Sequence, residues 1–192
     1  MSVTVKVAQV PGSAVSASGI LAQAFWITAF AATTALGARL EIPHEPVPYT
    51  LQTLLVLLSG AFLGARNGAF SQILYLAAGL AGAPVFAGGA FGLARLLGPS
   101  GGYLLAFPIA ALVTGLLIRK YSSLLWSFLA MVVGLLVIFT AGTVQLYAVY
   151  FHNMGAAISS GFLIFSWWDL LKLCAGATIY HELAKRWRTL PQ

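Results

Sequence analysis

The sequence predicts an all-α, polytopic membrane protein of six transmembrane helices with both termini on the cytoplasmic side, N-in and C-in. Three observations predict it. Hydrophobic residues make up 60% of the chain and charged ones 7%, with a mean hydropathy of +0.92, whereas soluble domains carry roughly 25% charged residues. No Asp, Glu, Lys or Arg lies between Lys6 and Arg39 or between Lys120 and Asp169, and about 18 or more apolar residues suffice to cross a bilayer. The basic residues, finally, gather in alternate connections between the apolar runs, as cytoplasmic loops do. An outer-membrane barrel is excluded, because runs such as Leu124 to Ile138 do not alternate apolar and polar residues at period two.

Residues 1–18 mix Ser, Thr, Gln, Gly and Pro with small apolar side chains. They lack the basic start and the run of about 7–15 apolar residues of a signal peptide, so they are expected to form a loosely ordered cytoplasmic lead-in or an interfacial segment. A single six-helix domain over 19–192 follows. Its helices are predicted at Gly19–Ala38, Thr50–Gly64, Asn67–Gly82, Gly102–Ile118, Leu124–Tyr150 and Phe165–Trp187. The second and third are short, and the connection Ala65-Arg66-Asn67 is so brief that they must form a tight helical hairpin. Between the third and fourth, Ala83–Gly101 is apolar yet shows no helical period. Irregular backbone survives at membrane depth only where protein buries it or a cavity solvates it, so this loop is expected to fold over a pocket.

Six spans place Lys6, Arg66, Arg119, Lys120, Lys185, Arg186 and Arg188 on one side with Glu182, seven positive charges against one negative. Arg39, Arg95 and Lys172 face Glu41, Glu45 and Asp169 on the other, three against three. The net charge of +6 therefore falls wholly on the inner side, which sets the orientation. It makes nucleic-acid binding an unnecessary explanation of the basic pI. Cys174, the only cysteine, permits no internal disulfide and has no metal-ligand spacing around it, so it is read as packing.

The residues able to carry chemistry lie near the outer surface. Asp169 and Lys172 open the sixth predicted helix at a spacing that puts both on one face. Ionised groups near hydrocarbon are costly and by default functional, each with the other as partner; a structural pair snorkelling to the interface beside Trp167 and Trp168 is the plainer alternative. The carboxylate accepts N–H bonds and the ammonium donates to a carbonyl, a combination suited to a urea-like ring. Upstream, Glu41-Ile42-Pro43-His44-Glu45-Pro46-Val47-Pro48-Tyr49-Thr50-Leu51-Gln52-Thr53 is held stiff and extended by its prolines. It ends with Thr50 and Gln52 at a helix start, where free N–H groups and the helix dipole favour polar ligand groups, although ordinary capping explains Thr50 equally well.

No enzyme is expected. One Asp and one Lys on a single helix supply binding polarity without a nucleophile and its positioned base. His44 and His152 lie in separate external loops, and His181-Glu182 lacks the second His of H-E-x-x-H, so no metal site is expected. The first helix carries Ala24, Thr28, Ala31, Ala35 and Ala38, a stripe of small side chains that lets another helix approach closely, either in a partner or in this chain.

Val47-Pro48-Tyr49-Thr50-Leu51-Gln52-Thr53, then Ser59 to Ala69 with Tyr75-Leu76, then Pro84-Val85-Phe86-Ala87-Gly88-Gly89 with Gly98-Pro99-Ser100-Gly101-Gly102-Tyr103, and last Asp169-Leu170-Leu171-Lys172 together resemble the BioY proteins. These are the biotin-specific S components of energy-coupling factor (ECF) transporters, and the four segments occur in that family's order. The resemblance implies a subunit that captures biotin from the outside. It would work with a membrane coupling subunit (EcfT-like) and two ABC-type ATPases, in a bacterial cytoplasmic (inner) membrane, with no cofactor of its own. It also implies ligand contacts at Thr50 and Gln52, along Phe86, Ala87, Gly88 and Gly89, at Tyr103, and at Asp169 and Lys172 for the ureido ring. Arg95, the external cation of the loop, is the candidate for the ligand carboxylate. The alanine stripe is implied as the coupling surface. The family's Pro-Phe and small residues before D-x-x-K are replaced here by Ile164-Phe165-Ser166-Trp167-Trp168, which leaves the outer rim of the pocket open. A self-sufficient oligomeric carrier or channel for a small solute is the other transport reading. The G-x-x-x-x-G-K-[ST] phosphate loop is absent from the sequence, so ATP hydrolysis of that type belongs to partners.

Overall fold

The computed structural model describes residues 17–121, 123–163 and 167–186. The expectations for the lead-in up to residue 16, for Lys6 and Arg188 and for the rim residues Ile164 to Ser166 lie outside them.

The first helix, α1 (Ala17–Arg39), is apolar on every side, as a peripheral membrane helix must be. Ala31, Thr34 and Ala38 are buried, while Leu21, Phe25 and Leu36 point outward. The proline-rich segment that follows is not simply extended. Its ends pair as an antiparallel ribbon, β1 (Glu41–Ile42) against β2 (Tyr49–Thr50), with Glu41 opposite Thr50 and Ile42 opposite Tyr49. Pro43 and Pro48 flank the paired residues directly, and with no N–H to donate they hold the ladder to two residues per strand.

The next element, α2 (Gln52–Leu80), is hydrogen-bonded throughout but breaks at Gly64, whose φ of 76° and ψ of 176° are non-helical. A straight helix of this length would hold Gln52 and Tyr75 about 35 Å apart. Instead the Gln52 Nε2 donates to the Tyr75 hydroxyl at 2.6 Å, and the Gln72 Nε2 donates to Ser59 Oγ at 3.0 Å. The chain therefore doubles back at Gly64, where the positive φ suits a residue without a Cβ, and the two arms run antiparallel. This is the predicted hairpin, with the turn one residue earlier than the Ala65-Arg66-Asn67 connection. Each arm is short: at 1.5 Å per residue they reach about 18 and 24 Å, less than the roughly 30 Å of bilayer hydrocarbon.

Small residues let this hairpin occupy the middle of the molecule. A Cβ on Gly60 would collide with the backbone carbonyl of Ala111, one on Gly68 with the backbone of Gly60, and one on Gly115 with the backbone of Ala65. The arms and α4 (Gly101–Ile118) thus meet backbone against backbone, the close approach that small residues permit in lipid. Around them pack α5 (Leu124–Leu146) and α7 (Trp167–Arg186), with Leu57, Leu63, Tyr75, Met131, Leu135 and Ile138 fully buried at the centre.

Among the described residues, four helices are long and apolar enough to cross a membrane, or five when the bent pair before and including α7 is counted as one span. That pair differs from expectation. α5 passes into a π-helical turn, Tyr147–Phe151, which stops at His152 in the left-handed region, φ 51°. A short α6 (Met154–Ala157) and a second π-helical turn, Ile158–Phe162, then approach α7 at 47°. Asn153 starts this segment by accepting the Ala156 N–H at 3.1 Å, an ordinary N-cap. The irregular 83–101 segment contains a 3-10 turn at Ala87–Gly89 and a short α3 (Leu93–Leu97).

Candidate functional site

Four parts of the chain line a cavity with about 600 Å³ of empty space, the open solvent at its mouth included. One wall is the ribbon and the start of α2, with Val47, Thr50, Gln52 and Thr53. The cover contributes Ala87, Arg95 and Ser100. α4 and α5 contribute Tyr103, Leu104, Phe107 and Phe139, and α7 contributes Asp169 and Lys172.

The polar end is built from α7. Asp169 stands in the first turn of that helix and Lys172 one turn on. Lys172 Nζ lies 2.7 Å from Asp169 Oδ1, and the residues are only 6% and 2% exposed. The same ammonium donates to Thr53 Oγ1 at 2.8 Å and to the Thr50 carbonyl at 3.2 Å. This pair is therefore not a snorkelling surface bridge: it faces a chamber and joins α7 to the start of the hairpin.

Thr50 and Gln52 serve the wall as well as line it. The Thr50 hydroxyl donates to Gln52 Oε1 at 3.0 Å and accepts the Gln52 backbone N–H at 3.3 Å. Gln52 holds the Tyr75 hydroxyl, which in turn donates to the Val85 carbonyl at 3.2 Å. That relay ties the cover to the hairpin. A second tie comes from α5, where the half-buried Gln145 Nε2 donates to the Leu96 and Gly98 carbonyls at 2.8 and 2.7 Å. A third comes from Tyr103, whose hydroxyl donates to the Gly161 carbonyl at 2.9 Å. Between these ties two lining groups have no partner: Arg95 Nε and Ser100 Oγ are buried without a hydrogen bond. Buried polar groups are rarely left so, and here both belong to residues that line the cavity.

Of the residues singled out in the sequence, Thr50, Gln52, Ala87, Arg95, Tyr103, Asp169 and Lys172 line this one cavity. Phe86, Gly88 and Gly89 stand beside it. Phe86 is fully buried, edge-on to Tyr75 with ring centroids 5.6 Å apart, and fills the space over Gly79. Gly88 and Gly89 turn the cover with positive φ next to Glu41 and Arg39, and the Arg39 guanidinium bonds the Pro84 carbonyl at 2.6 Å. The alanine stripe divides: Ala31 and Ala38 are buried in the chain's own fold and Ala35 packs half-buried beside them, whereas Ala24 and Thr28 are exposed.

Other residues of the lining, among them Thr53, Ser100, Leu104, Phe107 and Phe139, were not singled out as contacts, nor was Gln145, which braces the cover. Gln145 had a signal, being the only carboxamide between Lys120 and His152. Thr53 follows Thr50 by three, the spacing of one helical face. Ser100 lies within the quoted Gly98 to Tyr103 segment, whereas Phe139 had no signal, because only tertiary packing brings it to the cavity.

Comparison with known proteins agrees in sequence and in fold. The family model described as "BioY family" matches residues 7–189. A curated relative from Thermotoga maritima, the biotin transporter BioY, is 42% identical over 156 residues, covering 81% of this chain and 92% of its own. The biotin transporter BioY2 of Lactococcus lactis subsp. cremoris is 40% identical over 148 residues, 74% of this chain and 79% of that one. Among solved structures, the S-component for biotin from an ECF-type ABC transporter superposes with a TM-score of 0.82 at 25% identity, covering 88% of this chain and 94% of the other. With a match over nearly its full length and relatives of this identity, the chain belongs to the BioY family.

Proposed function

We propose that this protein is the substrate-capturing S component of an ECF-type vitamin transporter and that its cavity binds biotin. The observation that carries the reading is the polarity of the chamber: the buried Asp169–Lys172 pair at one side, the unpartnered Arg95 Nε and Ser100 Oγ under the cover, and Leu104, Phe107 and Phe139 between them. Biotin has a matching sequence of groups. Its ureido ring offers N–H donors to a carboxylate and a carbonyl to an ammonium, its ring and side chain are apolar, and its carboxylate suits a guanidinium. No catalytic step is proposed: the relatives are named as transporters, and the reading of a self-sufficient channel gains no support from them.

The chain lies in the bacterial cytoplasmic membrane as six helices, the two hairpin arms counted separately, with both termini inside. The charge distribution supports this orientation. The backbone of Ala65, beside Arg66, abuts Gly115 near the Arg119–Lys120 end of α4, and the Phe62 ring meets Tyr180 in the second half of α7 at 5.3 Å. Arg39, Arg95 and Lys172 stand instead around the chamber. The energising partners are an EcfT-like coupling subunit and ABC-type ATPases. The surface offered to the coupling subunit is the exposed side of α1, where Ala24, Thr28, Ala32 and Leu36 recur every four residues and are all exposed. Ala31 and Ala38 support this face from within.

Equilibrium binding of labelled biotin to the purified chain in detergent tests the assignment, and a wild-type chain that fails to bind overturns it. The chemistry at Arg95 makes a finer expectation. Arg95→Ala weakens biotin by about ten- to a hundredfold, the loss expected for a charge-assisted bond, and leaves the affinity for biotin methyl ester unchanged; an equal loss for both ligands removes Arg95 from the carboxylate. On the outer face, Thr28→Trp retains biotin binding and loses co-purification with the coupling subunit, a result read directly from pull-downs of the assembled transporter.

A further inference from the structure

We propose that Thr53 is a positioning residue of the ligand site, acting through Lys172 rather than by contact with the ligand; the inference rests on the cavity being the biotin site. A lysine ammonium has three N–H donors and no acceptor. All three are engaged here: with Asp169 Oδ1 at 2.7 Å, with Thr53 Oγ1 at 2.8 Å and with the Thr50 carbonyl at 3.2 Å. The first two are short. They come from opposite sides of the chamber, Asp169 from α7 and Thr53 from the first turn of α2, so they fix Nζ between two elements far apart in sequence. The third is longer, and its acceptor is a backbone carbonyl at the cavity wall. A ligand carbonyl entering the chamber takes that third hydrogen, because the exchange of one neutral acceptor for another costs little and leaves both short bonds in place.

The recognition of a carbonyl by Lys172 thus depends on which of its hydrogens is left to give, and Thr53 decides it. Without the threonine oxygen, Nζ keeps the short bond to Asp169 and the longer one to the Thr50 carbonyl, and can swing toward the carboxylate it already touches. The freed hydrogen then competes with the N–H groups of a ureido ring for the lone pairs of the carboxylate. One side-chain oxygen therefore keeps both members of the pair in the state the ligand needs. The sequence contains the hint in the form Thr50-x-x-Thr53, which presents a carbonyl and a hydroxyl to the same point.

Two readouts on the full chain test this. Thr53→Val, nearly isosteric, is expected to weaken biotin about ten- to a hundredfold, and Thr53→Ser, which restores the oxygen, to stay within about threefold of wild type. In the same preparations, the rate of Lys172 acetylation by acetic anhydride, followed by mass spectrometry without ligand, rises in Thr53→Val and remains at the wild-type rate in Thr53→Ser. Thr53→Ala replaces the valine variant if the latter is not recovered folded. Wild-type affinity in the valine or alanine variant overturns the proposal. So does lost affinity with unchanged Lys172 labelling, which makes Thr53 a direct contact. Absence of biotin binding in the wild type refutes instead the assignment of the cavity, and the labelling result still decides whether Thr53 holds Lys172.

Discussion

Asp169→Ala is expected to abolish biotin binding and to lower the thermal stability of the detergent-solubilised chain more than any other single change in the cavity. Lys172 is 6% exposed, and with the carboxylate gone its ammonium keeps only the Thr53 hydroxyl and the Thr50 carbonyl. Removing one member of a buried pair leaves an uncompensated charge and costs about 3–5 kcal/mol. Replacing both members with apolar residues of similar size avoids that charge. The double variant Asp169→Leu/Lys172→Met should therefore recover most of the melting temperature while remaining unable to bind biotin. Thermal unfolding followed by intrinsic fluorescence, with titration of labelled biotin on the same samples, separates the two effects. A single variant as stable as wild type contradicts the burial argument; a double variant that binds contradicts the site.

Gly60→Val is expected to prevent folding altogether. The Cβ that any other residue brings at this position meets the carbonyl of Ala111, and Gly68 leans on the backbone of Gly60 from the other arm. Three segments converge there with no side chain between them, so no rotamer relieves the clash. Overpacking a well-filled core costs roughly 1–3 kcal/mol even where side chains can adjust, and here the backbones themselves must separate. Size-exclusion chromatography after membrane extraction should show aggregate or no protein. Ala77→Val, on an exposed position of the same α2, serves as the control and should elute as wild type.

The fold was legible where composition alone decides the solvent. Charge-free stretches and the placement of Lys and Arg mark the apolar segments, and the brevity of Ala65-Arg66-Asn67 demands the reversal that Gly64 carries out. The segment after α5 was illegible, because Met154 to Phe162 reads as mostly small residues without period and forms one α-helical turn continued by a π-helical one. The Asp169–Lys172 pair declared itself, since two ionisable groups beside hydrocarbon require each other. Phe86, a ligand contact only by the resemblance, has its ring in the core, filling the space above Gly79. Phe139 reaches the cavity through packing between distant segments, which no local pattern encodes.

Peripheral as it is, α1 is fastened to the chamber at its C-terminal end three times. The chain runs from it directly into the ribbon. The Leu51 N–H bonds the carbonyls of Gly37 and Leu40 at 3.3 and 3.2 Å, and Arg39 grips Pro84 in the cover. One side of the helix is exposed along its length, through Ala24, Thr28, Ala32 and Leu36, so any tilt of α1 about this end is shared by the ribbon and the cover, the wall and the roof of the chamber alike.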